Sequence, residues 1–183
     1  LPPQRREVAM GSHQAHTIVG AQLPGMDHPL RHAMALLNNL VGGPGMNSLL
    51  NVNLRERRGY VYSVESSVTQ FTDCGLFEIY LGCDYADVRS SLRVIDHLTA
   101  DLAERRLTPH HLEACKKQYC GQLLVASDST EWLALNAGKS LLRYGRVATV
   151  DDTVQRIMAV TADELRQAAE LITMPRCSVL TFK

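Results

Sequence analysis

The sequence has no excess of charge of either sign. Lys and Arg number 19, Asp and Glu number 19, and the formal net charge is zero. A nucleic-acid binder carries a basic excess or stripe, and a polybasic membrane anchor carries a cluster of Lys and Arg. Neither nucleic acid nor membrane is therefore expected as a partner. No apolar run approaches the ~18–20 residues that a membrane span needs; stretches such as Leu123-Leu124-Val125-Ala126 are core-sized. The start, Leu1-Pro2-Pro3-Gln4-Arg5-Arg6, has no apolar segment behind its charges and does not read as a signal peptide. An initiator Met is missing too, so the chain reads as a processed product or a piece of something longer. The five cysteines (Cys74, Cys83, Cys115, Cys120, Cys177) include no C-x-x-C, and Cys115 and Cys120 fall outside common zinc spacing. They read as free thiols in a reducing, cytoplasmic compartment. A signal peptide on a missing N-terminus would make that compartment periplasmic.

What is present is an ordinary globular composition, 45% hydrophobic and 21% charged over 183 residues, enough for one domain with a real core. Residues 1–15 are polar and read as a linker or arm, and 16–183 as a single domain. His16–Leu23 reads as a strand closed by Pro24-Gly25. Asp27 is placed to cap a helix with Pro29 in its first turn, followed by Leu30, Ala33, Met34, Leu37, Leu40 and Val41 on one face. Gly42-Gly43-Pro44-Gly45 stops that helix, and Met46–Arg57 reads as a second, ended by Gly59. Val61–Gln70 and Leu76–Cys83 read as an antiparallel hairpin; the latter alternates Phe77, Ile79, Leu81 and Cys83 against Glu78, Tyr80 and Gly82. Helices follow over Ala86–Arg105, from Thr108-Pro109, near Thr130–Tyr144 and Val150–Val160, and from the capping-box pattern Thr161-Ala162-Asp163-Glu164 to Ile172. Arg176–Phe182 closes as a strand. This order predicts an α+β fold, a mainly antiparallel sheet of about four strands packed against several helices.

Few segments carry chemistry. His28 and His32 are four apart, a chelating spacing, but no third ligand can be named; His13 and His16 fare no better. His110-His111-Leu112-Glu113-Ala114 misses the H-x-x-E-H pattern because its fifth residue is Ala114. The run Gly42–Ser48 lacks the Lys of a phosphate loop and follows a helix. No G-x-S-x-G is present. The segment Leu54-Arg55-Glu56-Arg57-Arg58-Gly59-Tyr60-Val61-Tyr62-Ser63-Val64 is more suggestive. Arg55 near a helix end and Tyr62 early in a strand flank a glycine turn, a cationic fork and a phenol suited to a carbonyl oxygen or carboxylate. Arginines here also suit the negative end of the helix dipole.

Here the sequence resembles the C-terminal half-domain of the M16 (insulinase, pitrilysin, processing-peptidase) metallopeptidases. The resemblance rests on Gly42-Gly43-Pro44-Gly45-Met46-Asn47-Ser48, Leu54-Arg55-Glu56-Arg57-Arg58-Gly59, Val61-Tyr62-Ser63-Val64 and Cys74-Gly75-Leu76-Phe77, with Leu107-Thr108-Pro109 and Leu112–Lys116 as weaker support. It implies a clam-like chamber of two half-domains. Zinc and the general base would stand on a partner N-terminal half, fused or separate, and no cofactor or metal on this chain. It further implies that Arg55 and Tyr62, seven residues apart, donate to the carbonyl of a peptide substrate, and that the isolated chain is inactive. The first helix reads His32-Ala33-Met34-Ala35-Leu36 where a catalytic half would carry its zinc motif, and Leu49 stands where relatives often have Arg. Two other classes fit the same residues: a proteolytically inactive structural or partner subunit of this fold, and a free-standing peptide-binding domain using a sheet edge. Self-association of the isolated domain through exposed apolar surface is also left open.

Overall fold

The structure is a computed structural model that describes residues 2–183. In chain order it comprises β1 (Arg5–Val8), β2 (Ala15–Pro24), α1 (Arg31–Gly42), a π-helical segment (Asn51–Glu56), β3 (Val61–Gln70), β4 (Cys74–Cys83), α2 (Val88–Glu104), α3 (Pro109–Ser127), α4 (Thr130–Tyr144), α5 (Val150–Ala159), α6 (Ala162–Glu170) and β5 (Cys177–Phe182). The fold is α+β. Contacts divide the chain into two compact units, one running from the N-terminus to Arg106 and adding Asp163–Lys183, the other Leu107–Ala162. No helix among the described residues is long and apolar enough to cross a membrane.

The larger unit is built on a sheet ordered β1-β5-β2-β4-β3. Its centre is antiparallel. Ala15–Pro24 pairs along its whole length with Cys74–Cys83, and β4 pairs with β3 as the predicted hairpin. Period-two patterning sets the register. Thr17, Val19 and Ala21 of β2 stand opposite Leu81, Ile79 and Phe77 of β4, and opposite Thr181, Val179 and Cys177 of β5, and all are buried. The one polar pair in that row is satisfied within itself, with Thr17 Oγ1 and Thr181 Oγ1 3.0 Å apart. The other face carries His16, Ile18 and Tyr80, where His16 Nδ1 lies 2.8 Å from the Tyr80 hydroxyl.

Among the described residues the sheet holds five strands rather than about four, and the addition comes from the supposed arm. Arg5–Val8 pairs parallel with Val179–Phe182. All four of its residues are exposed, so no buried alternation betrays it. Backbone bonds from Val179 N to Gln4 O (2.8 Å) and from Lys183 N to Val8 O (2.9 Å) hold it in place.

Helix α1 begins at Arg31, later than expected, and Asp27 does not cap it. Pro29 disfavours helical geometry for the residue before it. His28 instead turns, with its Nδ1 accepting the Leu30 N–H at 3.2 Å. Ala33, Met34, Leu37 and Val41 then form the buried face, and α1 packs on β3. The helix end comes very close to that strand. A Cβ on Gly42 would lie 2.6 Å from the Ser66 backbone nitrogen, and Ser66 Oγ donates to Asn38 Oδ1 at 2.7 Å. Packing against β3 thus calls for glycine at position 42.

The smaller unit is helical. Thr108 caps α3, its hydroxyl accepting the His111 N–H, with Pro109 in the first turn. Thr149 and Asp152 form a reciprocal capping box at α5, each bond 3.0 Å. The buried Lys116 of α3 donates to the Met158 carbonyl of α5 at 2.8 Å. Helix α4 turns Leu133, Leu135, Leu141 and Leu142 to solvent, the last 90% exposed.

Candidate functional site

The segment joining α1 to β3 starts helical at Leu49 and is π-helical over Asn51–Glu56. The Arg57 N–H reaches back five residues to the Val52 carbonyl at 3.0 Å. Leu54 is fully buried and anchors the segment, while Arg55 on its last turn is exposed. Gly59 ends the segment at φ +62°, in the left-handed region that favours glycine. Its N–H donates to the Arg55 carbonyl at 3.0 Å, the single bond of a left-handed helix cap, and Tyr60 N–H reaches the Leu54 carbonyl at 2.9 Å. The chain therefore reverses in two residues and enters β3, against which the π-helical segment packs.

Tyr62 does not follow the alternation of its strand. Val61 pairs with Cys83 but Ser63 pairs with Gly82, so Tyr62 is the extra residue of a β-bulge. Bulges re-aim side chains and often adjoin functional sites. Val61 and Val64 are buried and Tyr62 is 55% exposed. Asp84, the residue that follows β4, stands near this exposed phenol. Asp84, as an acceptor and as a charge, pushes the phenol above its ordinary pKa, with burial, Asp87 and Cys83 adding to the effect.

Arg55 and Tyr62 thus stand on two packed elements either side of the Gly59 turn, and the acid nearest the phenol in its electrostatics is Asp84. Sequence reading missed Asp84. The signal was faint: the hairpin register carries the end of β4 to the level of Tyr62, so an acid just past that end was within reach.

The other sequence candidates are occupied elsewhere or scattered. His28 lies in the turn before α1 and His32 on it, with His32 Nε2 accepting from Arg31 Nε at 2.9 Å. His16 bonds Tyr80, and His110 and His111 are exposed on the first turn of α3. Among the described residues no group of three or more His, Cys, Asp or Glu could hold a metal ion, so the residues present do not fit zinc. All five cysteines are free thiols. Burial pushes Cys83 and Cys177 up to about 11, which makes poor nucleophiles of them.

Comparison with known proteins gives this geometry a context. The family described as "Peptidase M16 inactive domain" matches residues 2–119. The chain is 38% identical over 160 residues to an uncharacterized zinc protease of Streptomyces coelicolor, covering 86% of this chain and 34% of that protein. It is 28% identical over 160 residues to the mitochondrial-processing peptidase subunit beta of Bos taurus, covering 84% of this chain and 32% of that protein. The chain spans about a third of the length of the curated relatives it matches. Among solved structures, a peptidase M16 inactive domain from Pseudomonas fluorescens superposes with a TM-score of 0.85 at 18% identity, over 99% of this chain and 43% of that one. A protease from Helicobacter pylori gives 0.84 at 18% identity, over 100% and 44%. These two likenesses show the fold.

Proposed function

This chain belongs to the family of M16 peptidase inactive domains, and on that premise we propose that it is the C-terminal, non-zinc half of a zinc metallopeptidase. Its partner is an N-terminal half-domain, and the relatives' greater length supports a fused one. This half helps enclose the peptide and positions the substrate carbonyl, and the hydrolytic centre lies on the other half.

The observation that carries the reading is the turn between Arg55 and Tyr62. A left-handed glycine cap, then a bulge, present an exposed guanidinium and an exposed phenol within seven residues. Both are donors. A planar guanidinium and a phenolic O–H suit a carbonyl oxygen that gains negative charge during acyl transfer. A fixed donor stabilises that charge without needing a metal of its own. The chain by itself hydrolyses nothing.

The test combines the chain with its N-terminal half, in the complete protein, and follows cleavage of an internally quenched peptide. Tyr62→Phe keeps the ring and removes the donor, so turnover should fall by about 10²-fold if the phenol faces the oxyanion, the scale seen when one such donor is lost. Equal rates for wild type and Tyr62→Phe would remove Tyr62 from the mechanism.

A further inference from the structure

Helix α4 presents its apolar side outward. Ser140 marks the inner side: it is buried, its hydroxyl donating to the Arg146 carbonyl and accepting the Ala148 N–H, both at 2.8 Å. On the opposite side, at spacings of three and four residues, stand Leu135, Gly138 and Leu142, all exposed. A surface helix ordinarily turns such a stripe to the core and its polar residues to water; here the order is inverted. Gly138 lies between the leucines with nothing within 4 Å of an added Cβ, so another backbone can approach closely at this point.

The stripe is complementary to itself. When the helix runs antiparallel to a copy of itself, about an axis between Gly138 and Lys139, Leu135 falls opposite Leu142 of the second copy. The aliphatic stem of the exposed Lys139 covers the second copy's Gly138. The ends match as well: Glu131, in the first turn, comes beside Arg146, just past the last, and the two helix dipoles oppose. A parallel pairing would instead set Glu131 beside Glu131. Because the axis is two-fold, each contact is made twice. We propose that this face docks a second copy of the chain, α4 antiparallel to α4. One helix face is small beside the ~1,200–2,000 Å² of a standard interface, so the dimer is weak and concentration-dependent. It does not depend on the reading of Arg55 and Tyr62 given above.

Sedimentation velocity on the chain, from micromolar to millimolar, tests this. Wild type should pass from monomer to dimer within that range. Leu142→Glu changes a side chain that is 90% exposed in the monomer, and should weaken association by at least about 10-fold. Glu131→Arg and Arg146→Glu should each weaken it by about 3- to 10-fold, and the double variant, which restores opposite charges, should recover most of the loss. Recovery also shows that neither change acts through the fold, since the charge of Arg146 bears on Asp152 as well. Wild type that stays monomeric throughout overturns the proposal; a Leu142→Cys thiol labelled in the chain alone but protected in the complete protein would then give the face to the other half. A dimer indifferent to Leu142→Glu overturns it, because the contact lies elsewhere. So does a dimer that Leu142→Glu abolishes but the charge-exchanged double variant does not rebuild, because α4 would not pair antiparallel.

Discussion

Replacing Gly42 with Ala pits helix propensity against packing, and the structure decides which wins. Gly42 is the last residue of α1, and a helical Gly→Ala change ordinarily gains about 0.5–1 kcal/mol. Its new Cβ, however, would stand 2.6 Å from Ser66 N, 2.7 Å from Ser66 Oγ and 2.9 Å from Ser66 Cβ. Ordinary contact lies near ~3.5 Å, and the nearest atom belongs to the β3 backbone, which has no rotamer to escape into. Either α1 lifts or β3 bends, and the Ser66–Asn38 hydrogen bond is strained in both cases. Overpacking of this kind costs about 1–3 kcal/mol, and the helix end recovers only part of it. A net loss of about 1 kcal/mol is expected, lowering Tm by about 2–4 °C for a chain of this size. Gly121 and Gly138 are the controls. Both sit inside helices, α3 and α4, with nothing within 4 Å of an added Cβ. Their Ala variants should gain up to about 1 kcal/mol. Urea unfolding followed by circular dichroism, at unchanged slope, measures all three. If Gly42→Ala moves in the same direction as Gly121→Ala, the close approach of α1 to β3 is not what requires glycine.

Three further outcomes are expected. Gly59→Ala should destabilise by about 1–2 kcal/mol through its left-handed φ alone, since its added Cβ would meet nothing within 4 Å, and Gly59→Asn should recover much of this; equal losses for Ala and Asn in the urea assay would contradict a purely conformational origin. At α5, the Thr149 bonds hold the Asp152 carboxyl below its ordinary pKa, so its stabilising contribution is present above the unfolded value and is lost as pH falls through the lower folded one. Asp152→Ala should cost about 1 kcal/mol at neutral pH and less on the acid side, and a pH-independent loss in thermal scans would count against the capping box. Ser91 is buried on α2 with its hydroxyl unpartnered among the described residues, so Ser91→Ala should raise unfolding free energy by about 0.5–1 kcal/mol, and a decrease would show that the hydroxyl has a partner.

The parts of the fold that were legible in the sequence are those where one physical signal dominates. Strand β4 was plain because Phe77, Ile79 and Leu81 alternate with half-buried neighbours. The start of α3 was plain because Thr108-Pro109 satisfies one orphan amide and removes another. The Gly59 turn was legible because a glycine after a charged helix end has few other uses. Strand β1 was not, because an exposed edge strand buries nothing and its partner lies 174 residues away. On α2 apolar residues do not mark the inward face alone: Leu98 and Leu102 are only half-buried, whereas Ser91 and Thr99 are fully inside. Thr99 Oγ1 satisfies itself on the Ile95 carbonyl at 3.0 Å, which no count of apolar residues reveals. In the candidate site, Arg55 and Tyr62 stood out by their places either side of the glycine turn and by the family resemblance, but the bulge at Tyr62 depends on a register shift between strands.

The pairing of β1 with β5 bears on how the domain responds to force. The two strands run parallel, Arg5 beside Val179 and Val8 beside Phe182. A pull on the chain's two ends therefore drags β1 and β5 past each other along their length. Their ladder is loaded in shear, every rung at once, rather than unzipped rung by rung. Lys183 ties off the end of this seam, donating to Val8 and accepting from Gly11 at 3.0 Å, both on the β1 side. End-to-end tension thus meets its resistance at the sheet's exposed margin, and the rate of forced unfolding is set by a four-residue strand that contributes nothing to the hydrophobic core.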